Sequence, residues 1–140
     1  MREPDVRERY PHLVGGEWTE PAAGEYVETT DPATNEPITT VAAGTTADVD
    51  AAVAAAREAF PEWRDTDPVT RGQRVHRVAE LIREHKDELA AIESLDQGKP
   101  LSQAKSDFEG AARYFEYYAG AADKLEGESI PVGTGQVDYT

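Results

Sequence analysis

The stretch PLSQAKSDFEGAARYFEYYAGAADKLEG, residues 100–127, decides how the rest of the chain must be arranged. Ala104, Phe108, Ala111, Phe115, Tyr118 and Ala122 recur at steps of four, three, four, three and four, which places them on one face of an α-helix. A stripe that alternates alanine with aromatic rings lets a neighbouring helix approach closely, so it predicts a helix packed against helices. Pro100 or Leu101 opens the segment and Glu126-Gly127 breaks it.

The neighbours it needs lie immediately upstream. Leu89, Ile92 and Leu95 mark a short helix that stops at Gly98, a residue that tolerates the left-handed turn after a last helical residue. Before it, Asp67-Pro68 pairs a capping side chain with a proline at the first helical position, and Val75, Val78, Ala79 and Ile82 are the expected buried face. Thr45-Thr46-Ala47-Asp48 opens a further helix, with an acid where the helix dipole is positive. Its apolar line is Val49, Ala52, Val53, Ala56 and Phe60, and Pro61 is expected to end it. The sequence therefore holds four helices.

Both ends read differently. Met1–Pro11 is charged and is expected to be an irregular arm. Leu13-Val14, Gly15-Gly16 and Trp18 read as strand, turn and strand; Tyr26–Thr30 and Ile38–Val41 read as two more strands around Asp31-Pro32 and Asn35-Glu36-Pro37. After the last helix, Ser129–Val132 and Gln136–Tyr139 alternate as strands around Gly133-Thr134-Gly135, with Val137 and Tyr139 on one face. Thr140 ends the chain inside that alternation, which reads as a cut end.

Composition limits what such a chain can do. Fourteen Lys and Arg stand against 28 Asp and Glu, a net charge of −14, so no basic stripe exists to displace counterions from a nucleic acid or to hold an anionic membrane surface. No apolar run approaches the roughly 20 residues that span a bilayer, and the N-terminus lacks a signal-like apolar core, so the expected location is the cytoplasm. With no cysteine, disulfides, thiolate metal sites and thiol nucleophiles are excluded within these residues. Leu, Ile, Val and Phe make up only 24 of 140 residues, a composition at the border of disorder. Regular periodicity decides for a folded chain with an acid coat and a small-residue core, and the four lysines beside ten arginines resemble the surfaces of proteins from salt-rich cytoplasm.

No catalytic constellation emerges. His12, His76 and His85 lie in separate elements, without the i, i+4 partner of a helical zinc site, and read as exposed surface histidines. Gly133-Thr134-Gly135 is no dinucleotide fingerprint, because Asp138 stands at the third glycine position and no helix follows. Gly98-Lys99 lacks the upstream glycine of a phosphate loop and reads as a helix stop. Glu84, Asp87 and Glu88 form a solvated acidic run. Asp96 stands apart: at a helix end its backbone carbonyl has no intrahelical donor, and water, a cap or a hard cation must satisfy it.

Several pieces together carry a resemblance. Asp31-Pro32-Ala33-Thr34 after a short strand, the run from Ala51 to Ala56 ending in Phe60 and Trp63, and Glu93-Ser94-Leu95-Asp96-Gln97-Gly98-Lys99-Pro100 resemble the N-terminal part of the aldehyde dehydrogenase superfamily. Tyr117-Tyr118-Ala119-Gly120 and Lys124–Val132 continue it in the family's order, so that it covers Leu13 to Thr140. Each piece is weak alone; the order and spacing make the set specific.

The resemblance implies an α/β fold for the intact enzyme. Residues 12–127 would be the N-terminal part of its cofactor-binding domain and 128–140 the start of an oligomerisation β-arm, truncated here. It also implies NAD- or NADP-linked oxidation of an aldehyde to an acid in a dimer or tetramer. The cysteine nucleophile, the glutamate base and the glycine-rich cofactor segment fall beyond Thr140, so the resemblance assigns no catalytic or cofactor-binding residue here. It does imply one site: a structural K+ or Na+ held by oxygens of Thr29, Thr30 and Asp96. The alternative reading is a free-standing acidic helical interaction module without catalytic activity.

Overall fold

Two glycines in left-handed conformation, Gly15 and Gly16, turn the chain between its second and third strands. The computed structural model describes residues 4–140. In chain order the elements are β1 (Arg9–Tyr10), β2 (His12–Val14), β3 (Glu17–Thr19), β4 (Tyr26–Thr30) and β5 (Pro37–Ala42). Four helices follow: α1 (Thr46–Asp65), α2 (Pro68–Glu84), α3 (Lys86–Gln97) and α4 (Leu101–Ala121). A hairpin of β6 (Ser129–Gly133) and β7 (Gln136–Tyr139) ends the chain. The result is the mixed α/β arrangement expected from the sequence.

β4 and β5 pair antiparallel with Val27 opposite Val41, and β1 joins the other side of β5 in parallel, so the sheet order is β1-β5-β4. The arm expected over residues 1–11 is thus not wholly irregular. Met1, Arg2 and Glu3 lie outside the described residues, but Arg9–Tyr10 is a strand. Its cause is non-local: the Thr39 hydroxyl donates to the Arg7 carbonyl at 2.8 Å, and the Arg7 guanidinium lies 4.7 Å from the centre of the Trp18 ring.

The helices are held at their ends as the residues dictate. Asp67 caps α2, its Oδ1 accepting from the Val69 and Thr70 amides at 3.0 and 3.1 Å. Gly98 closes α3 at φ 68°, its N–H donating to the Ser94 carbonyl at 3.0 Å, so Gly98-Lys99 is the helix stop the sequence indicates. Pro61, expected to end α1, sits inside it. The turn beyond the proline survives because its carbonyls find other donors: the Thr66 hydroxyl bonds Glu62 at 2.7 Å and Arg71 bonds Arg64 at 3.0 Å. α4 closes at Ala121, before Glu126-Gly127, through a tight turn in which Lys124 N–H reaches the Ala121 carbonyl.

The core lies between α2, α3 and α4 and consists of small residues: Ala79, Ala90, Ala104, Ala112 and Ala119. α2 and α4 approach closely at Gly72, where a β-carbon would stand 2.6 Å from the Ala119 carbonyl oxygen. The buried line of α4 is accordingly rotated from the expected one. It passes through Ala112 and Ala119 in place of Ala111 and Ala122, while Phe115 is 41% and Tyr118 64% exposed. On α2, Val78 is likewise exposed, and Gly72 with Ala79 forms the contact. Arg83 reinforces the crossing by bonding Glu109 at 3.0 Å and Glu116 at 2.9 Å, and the two carboxylates hold its guanidinium above its ordinary pKa. The acidic run is solvated, with Asp87 paired to Lys105 and Glu84 to Arg77.

Candidate functional site

β4 is the edge strand of its sheet, so one side of its backbone has no strand partner, and the ladder shifts register between Thr29 and Thr30. The next residue, Asp31, builds the turn. Its carboxylate accepts from the Ala33 amide at 2.8 Å and the Thr34 hydroxyl at 3.1 Å, and Asn35 takes a left-handed φ of 61°. That turn is pressed against the end of α3: a β-carbon at Gly98 would lie 2.9 Å from Pro32 Cγ. Glycine at 98 therefore serves two purposes, the left-handed cap and the close approach of two loops.

Between the sheet and α3 this leaves a cavity of about 380 Å³, with Thr29, Tyr10 and Ile38 on one wall and Ile92, Asp96 and Phe108 on the other. Thr29 Oγ1 is buried there without a hydrogen-bond partner. Asp96 lies in the last turn of α3, whose carbonyls have no helical donor. Of the three residues implied for a cation site, Thr29 and Asp96 line this one cavity, and Thr30, exposed, is the next residue across the register shift. The groups these residues offer, an unpaired hydroxyl, edge-strand carbonyls and helix-end carbonyls, are all oxygen, the donor class hard cations take. Nearby, Lys99 bonds both Glu93 and Asp107, Glu93 foremost, and its ammonium is held above its ordinary pKa. Among the described residues no group of three or more His, Asp or Glu is arranged to hold a metal by side chains.

A second polar cluster was not legible in the sequence. Asp48, at the start of α1, does more than face the helix dipole. Its Oδ2 accepts from the Thr45 amide at 2.7 Å and the Thr45 hydroxyl at 2.6 Å, and its Oδ1 accepts from the Ala22 amide at 2.8 Å. These bonds, the Thr45 hydroxyl's first, hold its carboxyl down at about 2. His12 stands beside it, with Nε2 buried, unpaired and 3.9 Å from Asp48 Oδ1. The expectation of a surface histidine fails here because Gly44 and Asp48, far away in sequence, close over the ring. His76 and His85 are exposed, as expected.

The apolar faces that remain open are extensive. α1 buries none of its residues, leaving Val49, Val53, Phe60 and Trp63 exposed, and the β6–β7 hairpin exposes Ile130, Val132, Val137 and Tyr139. No helix among the described residues is long and apolar enough to cross a membrane.

Known proteins resemble this chain over nearly its whole length. A hydroxyisobutyraldehyde dehydrogenase from Mycolicibacterium austroafricanum is 42% identical over 138 residues, which is 97% of this chain and 27% of that enzyme. Among solved structures, an aldehyde dehydrogenase from Bacillus cereus superposes with a TM-score of 0.90 at 32% identity, covering 99% of this chain and 30% of its own. A betaine aldehyde dehydrogenase from Staphylococcus aureus, solved with NAD+ bound, gives 0.82 at 38% identity over 86% of this chain and 24% of its own. The chain thus spans about a quarter of the length of the relatives it matches. The family model described as aldehyde dehydrogenase family matches residues 18–140, and on that extent this chain belongs to the aldehyde dehydrogenase family.

Proposed function

We propose that these residues act as the amino-terminal part of an NAD- or NADP-dependent aldehyde dehydrogenase that oxidises an aldehyde to a carboxylic acid. The carrying observation is the 42% identity, over 97% of this chain, to an enzyme named as an aldehyde dehydrogenase of this kind. When bound, the nicotinamide cofactor supplies the hydride acceptor. The chain's own contribution is architectural. Residues 12–127 contribute to the cofactor-binding domain, presenting the open faces of α1 and α4, and residues 128–140 begin an arm used in a homo-oligomer, dimer or tetramer.

With no cysteine, the 140 residues contain no thiol for covalent attack on a carbonyl. Aldehyde choice is set outside this segment. Relatives named for hydroxyisobutyraldehyde and for betaine aldehyde both match it, at 42% and 38% identity. The test is a reading frame extended past codon 140, expressed beside the 140 residues and assayed with several aldehydes and both dinucleotides. Turnover by the long form and none by the short supports the reading. A stop at codon 141, or turnover by the short form, overturns it.

A structural K+ or Na+ at Thr29, Thr30 and Asp96 belongs to the same proposal. The ion would tie the β4–β5 turn to the end of α3, where Pro32 already approaches Gly98. A crystal structure of the extended protein grown in KCl tests it. Oxygens of Thr29, Thr30 and Asp96 that diverge, with no ion-like density among them, remove the site.

A further inference from the structure

We propose that His12 and Asp48 form a pH-responsive clasp that fastens α1 to the β2–β3 hairpin, tight when the imidazole is protonated and slack when it is neutral. α1 is the helix that most needs a fastener. It buries none of its residues, its main neighbour is β2, and its middle meets the hairpin where Ala55 faces the Gly15 turn. At its first turn, Asp48 reaches out of the helix to the Ala22 amide, just past β3, and thereby joins two parts of the chain that pack little otherwise.

The geometry at His12 is that of an unfinished bond. Nε2 is buried and unpaired, and the Asp48 carboxylate oxygen Oδ1 lies 3.9 Å away. That is about 1 Å longer than a charge-assisted N–H···O bond. A neutral ring leaves this nitrogen desolvated, which disfavours the docked arrangement. A protonated ring carries a proton on both nitrogens and is drawn toward the carboxylate, closing the gap. The Asp48 carboxyl, held at about 2 by its hydrogen bonds, presents an ionised carboxylate to the ring.

From α1 the group facing His12 is Asp48; from β3 the cross-strand partner is Thr19; the segment before α1 contributes Gly44. Glu17 and Glu20 on the hairpin side are exposed, and Glu20 is engaged by Arg9 and by the Tyr26 hydroxyl. Among the described residues no other carboxylate comes within 4 Å of His12. His76 and His85 sit on α2 and next to α3, each beside its own glutamate.

Hydrogen exchange of the intact polypeptide, compared near the two ends of roughly pH 5 to 8, where imidazoles titrate, tests the clasp after correction for intrinsic rates. The Ala22 amide and those of residues 45–50 are expected to exchange about fivefold more slowly at the acid end, the scale of one partly exposed charged bond. His12→Gln should flatten the difference, while His76→Gln with His85→Gln should keep it. Wild-type exchange that is the same at both ends, or slower at the alkaline end, overturns the proposal whatever the variants do. So does persistence of the effect in His12→Gln, or its loss in the His76 and His85 pair.

Discussion

α1 and α2 are helices of similar length and similar amphipathic character, yet α2 is anchored and α1 is not. α2 meets α4 through Gly72 and Ala79 and is stitched to it by Arg83; α1 presents Val49, Val53 and Phe60 to solvent. The difference lies in what faces each stripe, not in the stripes. A small residue opposite a small residue lets two helices close on each other, while an apolar line with no opposing element waits for one. One part of this chain is a packed small-residue core, and another keeps its apolar stripe exposed.

The largest expected effect breaks the packed part. Gly72→Ala places a methyl 2.6 Å from the Ala119 carbonyl oxygen, which only a backbone shift can relieve. We expect a loss of about 2 kcal/mol, or roughly 8 °C in Tm for a chain of this size. Gly120→Ala is the control on the same helix pair. Nothing lies within 4 Å of its new carbon, so it should be neutral or stabilise by up to about 1 kcal/mol through helix propensity. Thermal melts of the two variants showing equal losses would mean that the close crossing does not exist.

Next in size is salt. A net charge of −14 on 140 residues repels itself, and α1 has the least burial to resist that. Far-ultraviolet circular dichroism should show helicity rising by about a tenth or more between dilute buffer and molar KCl, where the Debye length shrinks to about 3 Å. Identical spectra would remove the salt-adapted reading.

Acid should separate the two parts. The folded Asp48 carboxyl lies below its unfolded value, so its contribution is present at neutral pH and is lost as pH falls from about 4, the ordinary carboxylate range, toward about 2. The amides of Ala22 and Thr45 should lose protection in that interval, before the α2–α4 amides do. Simultaneous loss would show one cooperative unit instead of two.

The smallest effect is expected on the open face. Val53→Asp should shift stability by less than about 0.5 kcal/mol in this chain, because the side chain is already exposed. In an extended form that covers α1, the same substitution should become costly by about 2 kcal/mol or more, and a denaturant titration of both forms measures the contrast.

These comparisons also mark where reading residues in order succeeds. Asp67-Pro68 and Gly98 work through their own backbone, so the starts and stops they encode are visible without a structure. Pro61 misleads because its rescue comes from Thr66 and Arg71, beyond the helix it interrupts. On α4, alanines occupy both Ala111 and Ala112, so spacing permits two faces, and only the position of Gly72 on another helix chooses between them. Arg9–Tyr10 is a strand because of Thr39 and Trp18. The candidate cation site was reachable only through family resemblance, since nothing in the residues alone joins Thr29 to Asp96. His12 gave no signal at all: its burial is made by Gly44 and Asp48.

The parallel pairing of β1 with β5 sets an order of events during synthesis. Arg9 registers with Thr40, so β1 leaves the ribosome with its partner still unmade. At roughly 5–20 residues per second, the wait is about 2–6 s. Through that interval β1 is an unpaired strand in a nascent chain, and its length and flanks suit the delay: two residues, with Arg7, Glu8 and Arg9 beside Tyr10. A strand so short and charged makes a poor template for a neighbouring nascent chain.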